Sequence, residues 1–209
     1  MINRIALILA CLAAPVSAQP AAIPRILAPA PQDDLVPVAI DTTLGRIVVA
    51  LDRGRAPITT ANFLRYVDAH RLDGETFYRA MKMGDGGLIQ GGVRSDARKL
   101  FPKIVDEPSS KTGLKNVAGA ISMAKSAPDS AQADFFILVS DTPYFDTGSS
   151  PDDPNGFTAF GRVTDGMDVV KKIFASPVSA TKGDGVMKGQ MLEPPVKIIK
   201  AARLKSPQG

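Results

Sequence analysis

The chain has 209 residues, 44% of them hydrophobic, which suits one domain with additions, or two small ones, built on a sizeable buried core. Its formal net charge of +4 is too weak to argue for a nucleic-acid partner. A single histidine (His70), a single cysteine (Cys11) and no tryptophan leave little room for thiol, metal-thiolate or histidine-driven hydrolytic chemistry.

The chain starts with Arg4, an apolar run from Ile5 to Ala14, and then Val16-Ser17-Ala18. This reads as a secretory signal peptide over residues 1–18, cleaved before Gln19, and implies a periplasmic or secreted protein. The apolar run is about half the ~20 residues that cross a bilayer, so no stable membrane span is expected. A lipoprotein signal acylated at Cys11 is the alternative, but it leaves an even shorter apolar core. Cleavage removes Cys11 and Arg4, so the mature chain has no thiol, no disulfide and one positive charge fewer. Residues 19–34 are rich in proline and alanine and read as an extended linker. The folded domain is placed at residues 35–206.

Val36, Val38 and Ile40 alternate before Leu44-Gly45, and Ile47, Val49 and Leu51 alternate after it, which predicts a β-hairpin. The segment from Ala56 to His70 reads as a helix with Pro57 in its first turn and Ile58, Ala61, Leu64, Tyr66 and Val67 on its apolar face. His70 falls at the polar end of that helix and reads as a surface residue, which discourages a hydrolase built on it. Short apolar runs at "GAISMA", "DFFILVS" and "NGFTAFGRV" read as strands, and "GMDVVKKIF" as a second helix. A closing strand alternates at Val196, Ile198, Ala202 and Leu204, with Lys197, Lys200, Arg203 and Lys205 on a solvated face. Many short strands interrupted by two helices point to a mainly β protein, a closed antiparallel barrel with helical caps.

The stretch "GETFYRAMKMGDGGLIQGG", Gly74 to Gly92, is rich in glycine but lacks the spacing of either common phosphate-binding loop. Taken alone it is a flexible hairpin loop. Its neighbours form an ordered series: "FYR", "IQGG", "GAISMA", "DFFILV", "AFGRV" and "GMDVVKKI". In that order, from about Val38 to Leu204, the chain resembles the cyclophilins, the barrel-shaped peptidyl-prolyl isomerases. The resemblance implies an eight-stranded barrel capped by two helices, with a peptide groove on its outer surface. It places Arg79 as the catalytic arginine, Gln90 as the groove glutamine, and Phe136 and Leu88 around the proline pocket. Ala124 is where the peptide meets the protein backbone, and Tyr144, Phe145 and Phe157 complete the pocket wall. The implied partners are proline-containing unfolded or partly folded polypeptides, with no cofactor and a monomeric enzyme.

Several positions depart from the family pattern. Tyr78 replaces a histidine, Asp134 replaces a glutamine at the groove, and Lys125 stands where asparagine or arginine is common. Arg79 and Gln90 are eleven residues apart, three more than usual, which reads as an expansion of the loop "KMGDGG". Strand alternation puts Asp134 on the face of Phe136, close enough to pair with Arg79. The acidic insert with Asp146, Asp152, Asp153 and Asn155 lacks a regular calcium-ligand spacing, so no metal is expected. The Asp134 substitution and the longer loop leave open a weakly active barrel that serves as a peptide-binding module or chaperone.

Overall fold

The computed structural model describes residues 34–205; the leader, the Cys11 alternative and nearly all of the linker lie outside them. The first hairpin follows its alternation. β1 (Leu35–Thr42) pairs antiparallel with β2 (Gly45–Asp52). Val38, Ile40, Ile47, Val49 and Leu51 are all fully buried between them.

The chain continues through α1 (Pro57–Asp68), β3 (Thr76–Met83), β4 (Gly86–Gly92), α2 (Ser109–Thr112), β5 (Ala120–Met123) and β6 (Phe135–Leu138). It ends with β7 (Ala159–Asp165), α3 (Met167–Phe174), β8 (Val178–Ser179) and β9 (Met191–Arg203). Eight strands are joined in the order β1-β2-β7-β5-β6-β4-β3-β9, and β9 pairs back onto β1 to close the barrel. All pairings are antiparallel, and the two-residue β8 flanks β9. The barrel is filled by aromatic rings. Phe135 meets Phe63 at 5.2 Å and Phe77 at 5.6 Å, both edge-on, the geometry that ring quadrupoles favour.

Three sequence expectations need correction. A third helix, the four-residue α2, joins the expected two; it is too short to show a helical period. The face of α1 is rotated: Ile58 and Ala61 are exposed, while Thr59, Thr60, Asn62 and Phe63 are buried beside Leu64, Tyr66 and Val67. The start of α1 is also tied to a segment distant in sequence. The Glu107 carboxylate accepts from the amides of Ile58 (3.1 Å) and Thr59 (2.7 Å), capping free N–H groups of the first turn from a remote loop. In β9 the inward phase runs Val196, Ile198, then Ala201 rather than Ala202, because a register shift against β1 leaves Ile199 and Lys200 both exposed.

Candidate active site

The glycine-rich stretch is a β-hairpin. β3 and β4 stay paired up to Met83↔Gly86 around a tight Gly84-Asp85 turn, so the extra residues after Arg79 lengthen two strands and not a loose loop. Arg79 and Gln90 are direct cross-strand partners. The register slips between Phe77 and Arg79 against both β4 and β9, making Tyr78 a bulge. Phe77 and Ala80 are both in the barrel core. The bulge therefore lets two consecutive residues, Tyr78 and Arg79, project on the outer side, which strict alternation would forbid.

Arg79 is 9% exposed. Its Nε donates to Gln190 Oε1 (2.8 Å), one Nη to Gln90 Oε1 (2.8 Å) and the other Nη to Met81 Sδ (3.0 Å). All three acceptors are neutral. Burial pushes the guanidinium pKa down from its ordinary value, yet arginine remains charged under any ordinary condition. Of its five N–H groups, one on each Nη is left over for a ligand.

Beside Arg79 lies an apolar cluster separate from the barrel core: Leu88, Ala120, Phe136, Leu138 and Phe145 are its buried members, with Met81, Ala124 and Phe157 packed on it. Phe136, Phe145 and Phe157 form a triangle of rings with centroid separations of 5.6, 5.4 and 4.8 Å. Tyr144 stands at the rim, 67% exposed, its ring 6.4 Å from that of Phe145. The Ala124 amide donates to the Asp134 carbonyl (2.8 Å), so Ala124 has its carbonyl and not its amide to offer a peptide. The structure thus brings together Arg79, Gln90, Leu88, Ala124, Phe136, Phe145 and Phe157.

Asp134 is on the expected side but not on the expected partner. Its carboxylate accepts from the Tyr78 hydroxyl (2.7 Å), and the Tyr78 oxygen accepts from Gln90 Nε2 (2.6 Å). Two residues separate it from Arg79, because the bulge inserts Tyr78 between them. Asp134, Gln90, Ala124 and Lys125 also line a cavity of about 260 Å³ next to the aromatic cluster.

The acidic insert is held by protein groups. Lys125 Nζ lies 2.6 Å from Asp106 and 2.8 Å from Asp153, and the Lys125 and Asp106 side chains are each 2% exposed. Asn155 donates to Asp106, and Asp146 accepts from the backbone and side chain of Asn116. Among the described residues no cluster of histidine, cysteine and acidic side chains is arranged to hold a metal. His70 is exposed and pairs with Asp73 at 3.2 Å.

Sequence reasoning missed Gln190 and Met81. Gln190 sits 111 positions from Arg79, just before β9, and no local pattern marks it. Met81 carried a signal: with Arg79 outward and Ala80 inward, alternation puts it on the outer face.

The model of the family "Cyclophilin type peptidyl-prolyl cis-trans isomerase/CLD" matches residues 37–203. The chain is 36% identical over 138 residues to peptidyl-prolyl cis-trans isomerase A of Dickeya dadantii, covering 65% of this chain and 70% of that protein. It is 34% identical over 164 residues to a peptidyl-prolyl cis-trans isomerase of Acinetobacter baylyi, covering 78% and 82%. Among solved structures it is similar to a cyclophilin type peptidyl-prolyl cis-trans isomerase of Cryptosporidium parvum, crystallised in the presence of the dipeptide Ala-Pro. That match has a TM-score of 0.65 at 20% identity, covers 81% of this chain and 99% of the other, and bears on the fold alone.

Proposed function

The chain belongs to the cyclophilin-type peptidyl-prolyl cis-trans isomerase family, and from that premise we propose that Arg79 accelerates X-Pro isomerisation by hydrogen bonding to the proline nitrogen in an apolar groove. Rotation about a peptide bond is opposed by about 18–20 kcal/mol of resonance, and X-Pro isomers exchange in tens to hundreds of seconds unaided. No covalent bond breaks in this reaction. In the twisted amide the lone pair returns to the proline nitrogen, and a donor placed there stabilises that state more than either planar isomer.

The observation that carries this reading is the setting of Arg79. Its guanidinium is nearly buried, its acceptors are all neutral, and it keeps a free N–H on each Nη beside a three-phenylalanine cluster. A carboxylate partner would neutralise the charge that the reaction needs. Here Gln90 and Gln190 orient the fork without neutralising it. Phe136, Phe145, Phe157 and Leu88 seat the proline ring, Ala124 offers its carbonyl to the preceding segment, and Tyr144 closes the rim. The alternative, a holding module with little turnover, draws on Asp134 and the longer loop. Asp134 bonds to Tyr78 and the loop is a paired hairpin, so neither observation favours it.

Replacing Arg79 with alanine should lower kcat/KM for an X-Pro peptide by about a hundred- to a thousandfold, the range for losing one positioned donor. Stability, followed by circular dichroism, should fall by about 1–3 kcal/mol, since the hydrogen bonds of a nearly buried guanidinium are lost, with the barrel still folded. Full activity in a folded Arg79→Ala protein would overturn the assignment.

The clients are proposed to be exported polypeptides, on the strength of the leader pattern in residues 1–18. Mass spectrometry of the exported chain should find Gln19 at its N-terminus; a lipid on Cys11 would overturn that processing.

A further inference from the structure

Arg79, Gln90, Tyr78 and Asp134 form one hydrogen-bond chain in which every donor points the same way: Arg79 to Gln90 (2.8 Å), Gln90 to Tyr78 (2.6 Å), Tyr78 to Asp134 (2.7 Å). We propose that Asp134 is a positioning residue whose ionised carboxylate sets the direction of this chain, and thereby turns the Gln90 carbonyl towards Arg79. The inference rests on the reading of Arg79 as the catalytic group and adds a control on its readiness.

A carboxylate can only accept, and a tyrosine hydroxyl has one proton. With Asp134 ionised, the Tyr78 proton is committed to Asp134 and the Tyr78 oxygen must accept. Only the NH2 end of the Gln90 amide can then face Tyr78, so its oxygen faces Arg79. Chains of this kind polarise one another, which adds to the bias. A protonated Asp134 becomes a donor, and the chain can run backwards. Tyr78 would then donate to the Gln90 oxygen, and the amide NH2 would confront an Arg79 Nη. Two donors facing each other repel, and Arg79 loses one of its three supports.

The packing holds Asp134 in place. Gly92 has φ +150°, and a Cβ there would lie 2.2 Å from Asp134 Oδ1, so the carboxylate occupies space that only glycine leaves free. The charged and titratable groups around it are Tyr78 on β3, Glu75 just before β3, Arg94 after β4, Tyr66 on α1, and Lys125 across the shared cavity. Lys125 is matched by Asp106 and Asp153, and Glu75 by Lys99. The Arg94 guanidinium lies 4.5 Å from the Tyr78 ring centroid. Burial raises the Asp134 pKa; the Tyr78 hydrogen bond and Arg94 pull it down by less, leaving it above its ordinary value. Burial and the Asp134 charge push the Tyr78 hydroxyl upward, so it stays a donor at any working pH. The forward direction is enforced while Asp134 is ionised. That enforcement is lost as pH falls through the raised Asp134 value, earlier than an exposed aspartate would titrate.

The test is the pH profile of kcat/KM on an uncharged Ala-Pro peptide, over the range in which circular dichroism shows the barrel folded. Wild type should fall about tenfold on the acid side, the worth of one hydrogen bond. Asp134→Asn has no proton to gain or lose, whichever end of its amide faces Tyr78, so its rate should vary less than about twofold over the same range. Tyr78→Phe, which cuts the chain, should be reduced about tenfold and be flat. The side-chain amide NMR signals of Gln90 should shift with the wild-type midpoint and stay still in Asp134→Asn. An acid limb of equal size in wild type and Asp134→Asn, or a flat wild-type profile, overturns the proposal. Arg79→Ala separates the two claims. If it is inactive while Asp134→Asn keeps the acid limb, only the directional role of Asp134 fails. If it is fully active, the Arg79 reading fails first.

Discussion

Phe135 and Phe136 are adjacent on β6 and almost equally hidden, at 0% and 2% exposure, yet they belong to different parts of the molecule. Phe135 points into the barrel and meets Phe63 and Phe77; Phe136 points out and meets Phe145 and Phe157. One short strand thus serves the barrel core on one face and the outer aromatic cluster on the other. Burial alone does not tell a ring of the barrel core from one of the outer cluster. The neighbours of each ring do.

The comparison breaks if the two substitutions behave alike. Phe135→Ala should destabilise the fold by about 3–5 kcal/mol in urea unfolding, because a cavity opens among interlocked rings. The folded fraction should keep near-normal turnover. Phe136→Ala should lose about 2 kcal/mol, since its cluster can relax towards solvent, while kcat/KM falls at least tenfold through a weakened seat for proline. Equal losses of stability and activity in both would erase the distinction.

A smaller effect sharpens it from the side. Lys125 ties the acidic insert to the loop around Asp106, next to Ala124 and within the groove's cavity. Lys125→Met should lower stability by about 2 kcal/mol, less than for a fully buried pair because Asp153 is partly exposed. KM should rise more than kcat falls, and Lys125→Arg should restore most of both.

On stability and on substrate charge, Asp134 should have small effects. Its folded-state pKa is raised, so the stability this group contributes is present below the ordinary carboxylate range and is lost as pH rises through the raised value. Asp134→Asn should accordingly raise the melting temperature at pH above the raised Asp134 value and have less effect below it. Peptides with Lys or Arg near proline should be favoured over acidic ones by less than about threefold at low salt, because Tyr78 and Arg94 already engage the carboxylate. Loss of the difference in high salt would agree; a preference that resists salt would not.

Much of the barrel is legible in the sequence because strand period and turn residues are local signals: the β1–β2 hairpin needs only Val38, Ile40, Ile47, Val49, Leu51 and the turn at Gly45. Arg79, Gln90 and Phe136 stand out through their motifs. What escapes the sequence depends on contacts far along the chain or on a single slipped residue. Glu107 caps the start of α1 from 49 positions away from Ile58. Gln190 reaches Arg79 across the β3–β9 pairing. The bulge at Tyr78 overturned the simple alternation argument, and with it the expected Asp134–Arg79 pair. A period of two predicts faces only until an extra residue is inserted.

The β1–β9 seam has a consequence for how such a protein meets other chains. An unfolded polypeptide is a strand in search of an edge, and an open sheet would offer it one. Here the eight main strands are all paired on both sides, and only the two-residue β8 ends the sheet. Among the described strands a client chain therefore finds no long free edge on which to add a strand, and nothing in the barrel wall offers a template for aggregation.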